Sequence, residues 1–234
     1  MQLFYNTEIN LEEHLLLPED EARHIVKALR YKTGDAIFFT DGKGFIYEGI
    51  VANDNYSNCE IKWSAKKEGS DKRTFRLHMA VAPTKNLDRF EWFVEKATEL
   101  GIDEITPLLC SNSEKFSIKI DRLQKLAVSA MKQSNRTVLP IINPLVKFND
   151  FFANASNDKM YIAHCYNSEK KQLKTALQLN KNTTILIGPE GDFSEKEVEL
   201  ALQHKAQAIS LGNARLRTET AAMKACCLVN ILHE

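Results

Sequence analysis

The chain has 234 residues, 44% hydrophobic and 26% charged, an ordinary globular composition with room for one large domain or two modest ones. Its 31 basic residues balance 31 acidic ones, and the regional counts (8 against 12 in 1–70, 13 against 10 in 71–150, 10 against 9 in 151–234) leave only local patches to attract nucleic acid. No apolar run approaches the roughly 20 residues of a membrane span, and residues 1–6 lack the basic and apolar regions of a secretory leader, so a soluble cytoplasmic protein without membrane partners is expected.

Residues 1 to about 68 read as a small β-rich unit. A helix from Pro18 to about Tyr31 has Ala22, Ile25, Val26 and Leu29 as its apolar stripe. Arg23, Lys27 and Arg30 fall at i, i+4 and i+7 on another face. A strand at 35–40, a hairpin turn at Asp41-Gly42-Lys43-Gly44, a return strand at 45–51 and a third strand at 58–63 follow. Strands curling around one short helix suggest a small barrel. The polar stretch from Lys66 to Arg73 contains a breaker and no apolar periodicity, so it is expected to be the linker, with domains at 1–70 and 71–234.

From Thr74 onward strands alternate with helices, the pattern of a mostly parallel sheet. Strands are expected at 76–82, 105–109, 159–164, 183–187 and 208–211. Phe90, Phe93, Val94, Ala97 and Leu100 give a helix that Gly101 closes, and a second helix runs from Arg122 to Ser134. Ser194 and Glu197 are spaced as a capping box. The terminal helix, from about Thr218, is apolar almost all round, so it should be buried, in part against another subunit.

Two loops carry the chemistry. Gly188-Pro189-Glu190-Gly191-Asp192-Phe193-Ser194 and the stretch from Leu211-Gly212 to Ala221 each follow a strand and precede a helix, the arrangement that builds a ligand crevice at the carboxyl edge of a sheet. Neither matches the dinucleotide or phosphate-loop fingerprints, which disfavours a nicotinamide enzyme. The glycines should let a ligand approach the backbone. Arg215 and Arg217 offer charge, and Thr218-Glu219-Thr220 can cap the last helix. The five cysteines, Cys59, Cys110, Cys165, Cys226 and Cys227, are scattered without a Cys-x-x-Cys pair. They argue against a disulfide framework or a metal site and are expected to be buried thiols. His164, closing its strand, is expected to be packed rather than a ligand, and Trp63 and Trp92 to belong to the core.

The combination of Ile187-Gly188-Pro189-Glu190-Gly191, Leu211-Gly212 and Leu216-Arg217-Thr218-Glu219-Thr220-Ala221 resembles the RsmE-type ribosomal RNA uracil-N3 methyltransferases of the SPOUT superfamily. The resemblance spans the chain. Arg23 to Arg30 with Gly34-Asp35 resembles the family's N-terminal PUA-like motif, Glu91 to Gly101 its first methyltransferase helix, and Ser129 to Arg136 a further segment. Three positions depart from the pattern: Asp192 where a second glycine is common, Asn213 where proline is common, and Lys115 where arginine is usual. Lys115 keeps the charge but loses bidentate reach to phosphate.

The resemblance implies an α/β fold, with a C-terminal trefoil-knotted SPOUT methyltransferase domain behind a small N-terminal PUA-like β-barrel. It implies a homodimer that uses S-adenosyl-L-methionine to methylate uracil N3 in 16S rRNA of the small ribosomal subunit. The cofactor residues it points to are Ile187, Gly188, Pro189, Glu190, Gly191, Leu211, Gly212, Leu216, Arg217, Thr218, Thr220 and Ala221. Arg217 is the candidate catalytic residue, stabilising the oxyanion that develops on uracil, while the proton acceptor stays open. Arg23, Lys27, Arg30, Lys85, Arg89, Lys115 and Arg136 are the candidates for RNA contact. A ribose 2′-O-methyltransferase of the same superfamily and a non-catalytic RNA-binding relative are the alternatives.

Overall fold

The computed structural model describes residues 2–12, 14–71, 73–154 and 158–233, so Lys72 of the expected linker lies outside the described residues. Contacts divide the chain into two compact units, Met1–Lys72 with Met131–Leu139, and Arg73–Ala130 with Pro140–Glu234.

In the first unit β1 (Leu3–Tyr5), β2 (Leu15–Leu16), β3 (Ala36–Thr40), β4 (Phe45–Asn53) and β5 (Glu60–Glu68) form one sheet in the order β1-β3-β4-β5-β2. Two register shifts between β4 and β5 increase its twist. Phe4, Ile37, Phe39, Val51 and Ile61 from the strands then share one core with Ala22 and Ile25 from the helix. That helix is shorter than its pattern suggests: α1 (Glu19–Arg23) widens into a π-helical stretch, His24–Ala28, and Arg30 adopts a left-handed φ of 63°. The wider turn breaks the i, i+4, i+7 spacing, so Arg30 leaves the regular face expected for it.

Strand β5 also runs further than expected, taking Lys66, Lys67 and Glu68 from the expected linker. Cross-strand partners account for this. Lys66 Nζ sits 3.9 Å over the Phe45 ring, and Lys67 pairs with Glu48 at 2.7 Å. The returning segment 131–139 joins the same unit: Thr40 Oγ1 donates to the Thr137 carbonyl at 3.1 Å, and the Leu139 amide donates to the Gly42 carbonyl at 2.9 Å.

The second unit is built on a wholly parallel sheet. Its elements are β6 (Leu77–Val81), α2 (Leu87–Glu99), β7 (Glu104–Leu109), α3 (Ile120–Gln133), β8 (Ile141–Ile142), β9 (Val146–Lys147) and α4 (Phe148–Phe151). They continue through β10 (Lys159–Ala163), β11 (Lys171–Gln172), α5 (Leu173–Ala176), β12 (Thr183–Ile187), α6 (Glu195–Gln203), β13 (Gln207–Ser210) and α7 (Thr218–His233). The strand order is β11-β13-β10-β12-β6-β7-β8, with β9 beside β7. Every residue of β6 and β12 is buried, His78, Thr183 and Thr184 included, as expected of parallel strands covered on both faces. Gly101 closes α2 at a φ of 81°, as its position required.

Helix α7 packs on α2, α5, β6 and β12 and buries Ala222, Ala225, Cys226 and Val229. Ile231 is 64% exposed, so only one face of this apolar helix is covered within the chain. Trp92 on α2 is likewise exposed rather than core, because it lies outside the Phe90–Phe93–Ala97 stripe that faces inward. No described helix is long and apolar enough to cross a membrane.

Candidate functional site

Strand order places β10 between β12 and β13, so the segments leaving three neighbouring parallel strands meet at their carboxyl ends. Together they line a cavity of about 790 Å³, inside the range of roughly 300–1,000 Å³ typical of small-molecule sites. Ten of the expected cofactor residues line it: Ile187, Gly188, Pro189, Glu190, Leu211, Gly212, Leu216, Arg217, Thr218 and Ala221. Gly191 and Thr220 do not. Thr220 faces a separate groove with Asp88, Arg89, Trp92 and Glu219. The sequence reading missed the wall contributed by β10, namely Ala163, His164, Cys165 and Lys170. No glycine turn follows that strand, and only the strand order brings it between the two loops.

The loops hold each other. Thr218 Oγ1 donates to the Gly188 carbonyl at 3.0 Å, so this hydroxyl ties the two loops together instead of capping α7. Glu190 Oε1 accepts from the Lys85 amide at 2.9 Å, joining the segment after β6 to the segment after β12. A Cβ on Gly188 would lie 3.0 Å from the Phe193 amide nitrogen and 3.1 Å from its ring; one on Gly191 would lie 3.1 Å from Asn112 Cβ. These two glycines therefore also serve internal packing, Gly188 against Phe193 and Gly191 against Asn112. Gly212, at a φ of 120°, is required by its backbone.

Asp192 explains its own departure from the family pattern. It adopts a φ of 63°, a conformation that favours glycine. Its carboxylate offsets the strain by accepting from the Cys165 amide at 2.7 Å and the Phe193 amide at 2.8 Å. Asp192→Ala keeps the strained backbone and removes both acceptors, so a loss of about 1–3 kcal/mol is expected in denaturant unfolding. The capping box is present as read: Ser194 Oγ accepts from the Glu197 amide, and Glu197 Oε2 accepts from the Ser194 amide at 2.8 Å.

Cations gather on the cavity wall. Arg215 and Arg217 are exposed along the loop after β13. Lys170 Nζ is fixed by donating to the carbonyls of His164 at 2.9 Å and Tyr166 at 2.6 Å. The Arg217 carbonyl accepts from the Ala221 amide at 2.8 Å, placing this arginine at the start of α7. Cys165 is exposed at the cavity, unlike the buried Cys59, Cys110 and Cys226, because it leaves β10 at its carboxyl end.

His164 is 8% exposed, and burial pushes its pKa down, with the Lys170 ammonium adding to the effect and Asp192 opposing it. Burial also lowers the pKa of His78, against the opposing carboxylate of Glu104. A histidine that is harder to protonate when folded stabilises the fold fully above its unfolded pKa of about 6.5. That contribution is lost as pH falls from there toward the folded value. Thermal denaturation between pH 7.5 and 5.5 is expected to show a falling midpoint, with a shallower fall in His78→Gln.

The candidate RNA-contact residues separate into paired and less engaged groups. Arg23 pairs with Glu19, and Arg23 and Lys27 both lie over the Tyr56 ring, Lys27 at 4.0 Å. Arg136 pairs with Asp71 at 3.1 Å. Lys85 pairs with Glu114 at 2.7 Å, and Arg89 lies 4.0 Å from Glu219. Lys115 is half-buried two residues after the buried Ser113, whose Oγ accepts from the Cys110 amide at 3.0 Å.

Comparison with known proteins follows this division of the chain. Residues 71–230 match the RNA methyltransferase domain family, and residues 17–62 match the RNA methyltransferase PUA domain. The ribosomal RNA small subunit methyltransferase E of Rickettsia conorii is 32% identical over 99% of this chain and 95% of its own length. A probable rRNA-methyltransferase from Porphyromonas gingivalis superposes with a TM-score of 0.92 at 34% identity, covering 100% of this chain and 98% of that one. A ribosomal RNA small subunit methyltransferase E from Neisseria gonorrhoeae, crystallised bound to S-adenosyl methionine, shares the fold at a TM-score of 0.86 and 23% identity, over 100% and 98% of the two chains. The α/β architecture, with a small PUA-like domain followed in sequence by a SPOUT methyltransferase domain, is thus shared with these solved structures. The chain belongs to the ribosomal RNA small subunit methyltransferase E family.

Proposed function

We propose that this protein transfers the methyl group of S-adenosyl-L-methionine to N3 of a uracil in 16S rRNA, uracil 1498 in the family's role. The observation that carries the reading is the single cavity made by the segments after β10, β12 and β13, with Arg217 on its wall. The residues present fit the cofactor. The cavity is of suitable size, and it combines the aliphatic Ile187, Leu211 and Leu216 with the carboxylates Glu190 and Asp192 and the cations Lys170 and Arg215.

When bound, adenosylmethionine supplies an electrophilic sulfonium methyl. The protein's part is to align uracil N3 with it, since orientation alone can contribute about 7–11 kcal/mol in favourable systems. Arg217, an exposed guanidinium at the start of α7, stabilises negative charge on a uracil oxygen as the N3 proton leaves. Residues 1–70, with Arg23, Lys27 and Arg30, hold RNA, while Lys85, Arg89, Lys115 and Arg136 add phosphate contacts and 71–234 carries the chemistry. The work is done in the cytoplasm, where the ribosomal RNA lies.

The reading includes a homodimer, with α7 passing through the trefoil knot and its open face covered by a second copy. Ile231 and Trp92 are exposed, and Glu219 Oε2 is buried without a hydrogen-bond partner among the described residues, which a second subunit would satisfy. Three measurements test the proposal. Radiolabelled methyl should pass from adenosylmethionine to small ribosomal subunits that lack the modification. Calorimetry showing no adenosylmethionine binding at millimolar ligand would instead leave a non-catalytic RNA-binding protein. Light scattering should give twice the chain mass, and a monomer would remove the second copy.

A further inference from the structure

We infer that His164 positions the cofactor, its neutral imidazole Nδ1 accepting a hydrogen bond from a donor group of bound S-adenosylmethionine. This rests on the cofactor reading above and goes beyond it, and it departs from the sequence expectation that His164 is packed rather than a ligand. His164 follows β10, the strand between the two loops, and lines the cavity while being 8% exposed. Its Nδ1 is buried and has no hydrogen-bond partner among the described residues. A buried nitrogen with no protein partner is uncommon, because its desolvation is left uncompensated by the fold.

The neighbouring groups are already engaged. Lys170 Nζ donates to the His164 and Tyr166 carbonyls. The Asp192 carboxylate accepts from the Cys165 and Phe193 amides. Tyr166 Oη donates to the Phe193 carbonyl at 2.8 Å, while its ring lies 5.7 Å from the imidazole. Glu169, Lys171, Glu195 and Glu199 line the groove on another side of His164. Adenosylmethionine carries an α-ammonium, ribose hydroxyls and an adenine amine, so a ligand in the cavity brings the donor that the protein leaves out. Only the neutral ring keeps a lone pair to accept it. Burial and the Lys170 ammonium hold the ring in that form.

The test is calorimetry of S-adenosylhomocysteine binding to the full chain and to two variants at pH 8, with NMR of the wild-type protein labelled at histidine nitrogen. His164→Leu is expected to bind about tenfold more weakly. His164→Asn, whose amide oxygen falls near the position of Nδ1, should recover most of that loss. Adding the ligand should shift the His164 Nδ1 resonance. Wild-type affinity should also fall as pH is lowered toward 5.5, and that of His164→Asn should fall less. Equal affinity of the wild-type and leucine forms, or an unmoved Nδ1 resonance, would overturn the assignment. Failure of the wild-type chain to bind at all would instead overturn the cofactor reading, and this inference with it.

Discussion

Arg217→Ala is expected to lower the single-turnover rate of RNA methylation by about 100- to 1,000-fold, the usual loss when one preorganised oxyanion donor is removed. The side chain is exposed on the cavity wall, and its backbone, not its guanidinium, starts α7 through the Ala221 amide. Folding and cofactor affinity should therefore change little while the chemical step slows. Arg217→Lys keeps a charge but not the planar fork, so its rate should fall between the two. If adenosylhomocysteine affinity and methylation rate fell together, Arg217 would be holding the cofactor rather than acting on the uracil.

The second large effect concerns stability. Phe193→Ala is expected to cost about 3–5 kcal/mol, the range for removing a fully buried aromatic ring. Phe193 is 0% exposed, lies with its ring centroid 5.2 Å from that of Phe148 at a tilt of 56°, and fills the space that a side chain on Gly188 would need. Its loss leaves a void under the loop after β12, so the thermal midpoint should drop by roughly 10 °C and cofactor binding should weaken with it. Gly188→Ala approaches the same contact from the opposite side, by overpacking, and should cost about 1–3 kcal/mol. An unchanged midpoint in Phe193→Ala would show that the ring does not support the loop.

These two residues also mark how far the sequence could be read. The stretch 183–187, the Ser194–Glu197 box and the start of α7 at Thr218 came out as their local patterns indicated. Each is set by neighbours in the chain, through apolar runs, capping geometry or a change of period. The packing of Gly188 against Phe193 was not legible, because it depends on how the loop between them folds back. His164 and Lys170 were missed as part of the cavity for a related reason: their place between the loops depends on β10 pairing with both β12 and β13. In the first unit, β1 and β2 have three and two residues, too few for alternation to register. The π-helical stretch after α1 likewise displaced Arg30 from a face that regular helical spacing assigned to it. What the sequence missed was set by strand order and long-range packing.

The central claim is that the cavity and Arg217 direct a methyl group to a uracil nitrogen. Nucleoside mass analysis of 16S rRNA, after incubation of unmodified small subunits with the purified protein and adenosylmethionine, tests it most directly. The account predicts 3-methyluridine in the wild-type reaction and almost none with Arg217→Ala. Appearance of a 2′-O-methyl nucleoside, or of no methylated nucleoside although the cofactor is bound, would contradict it.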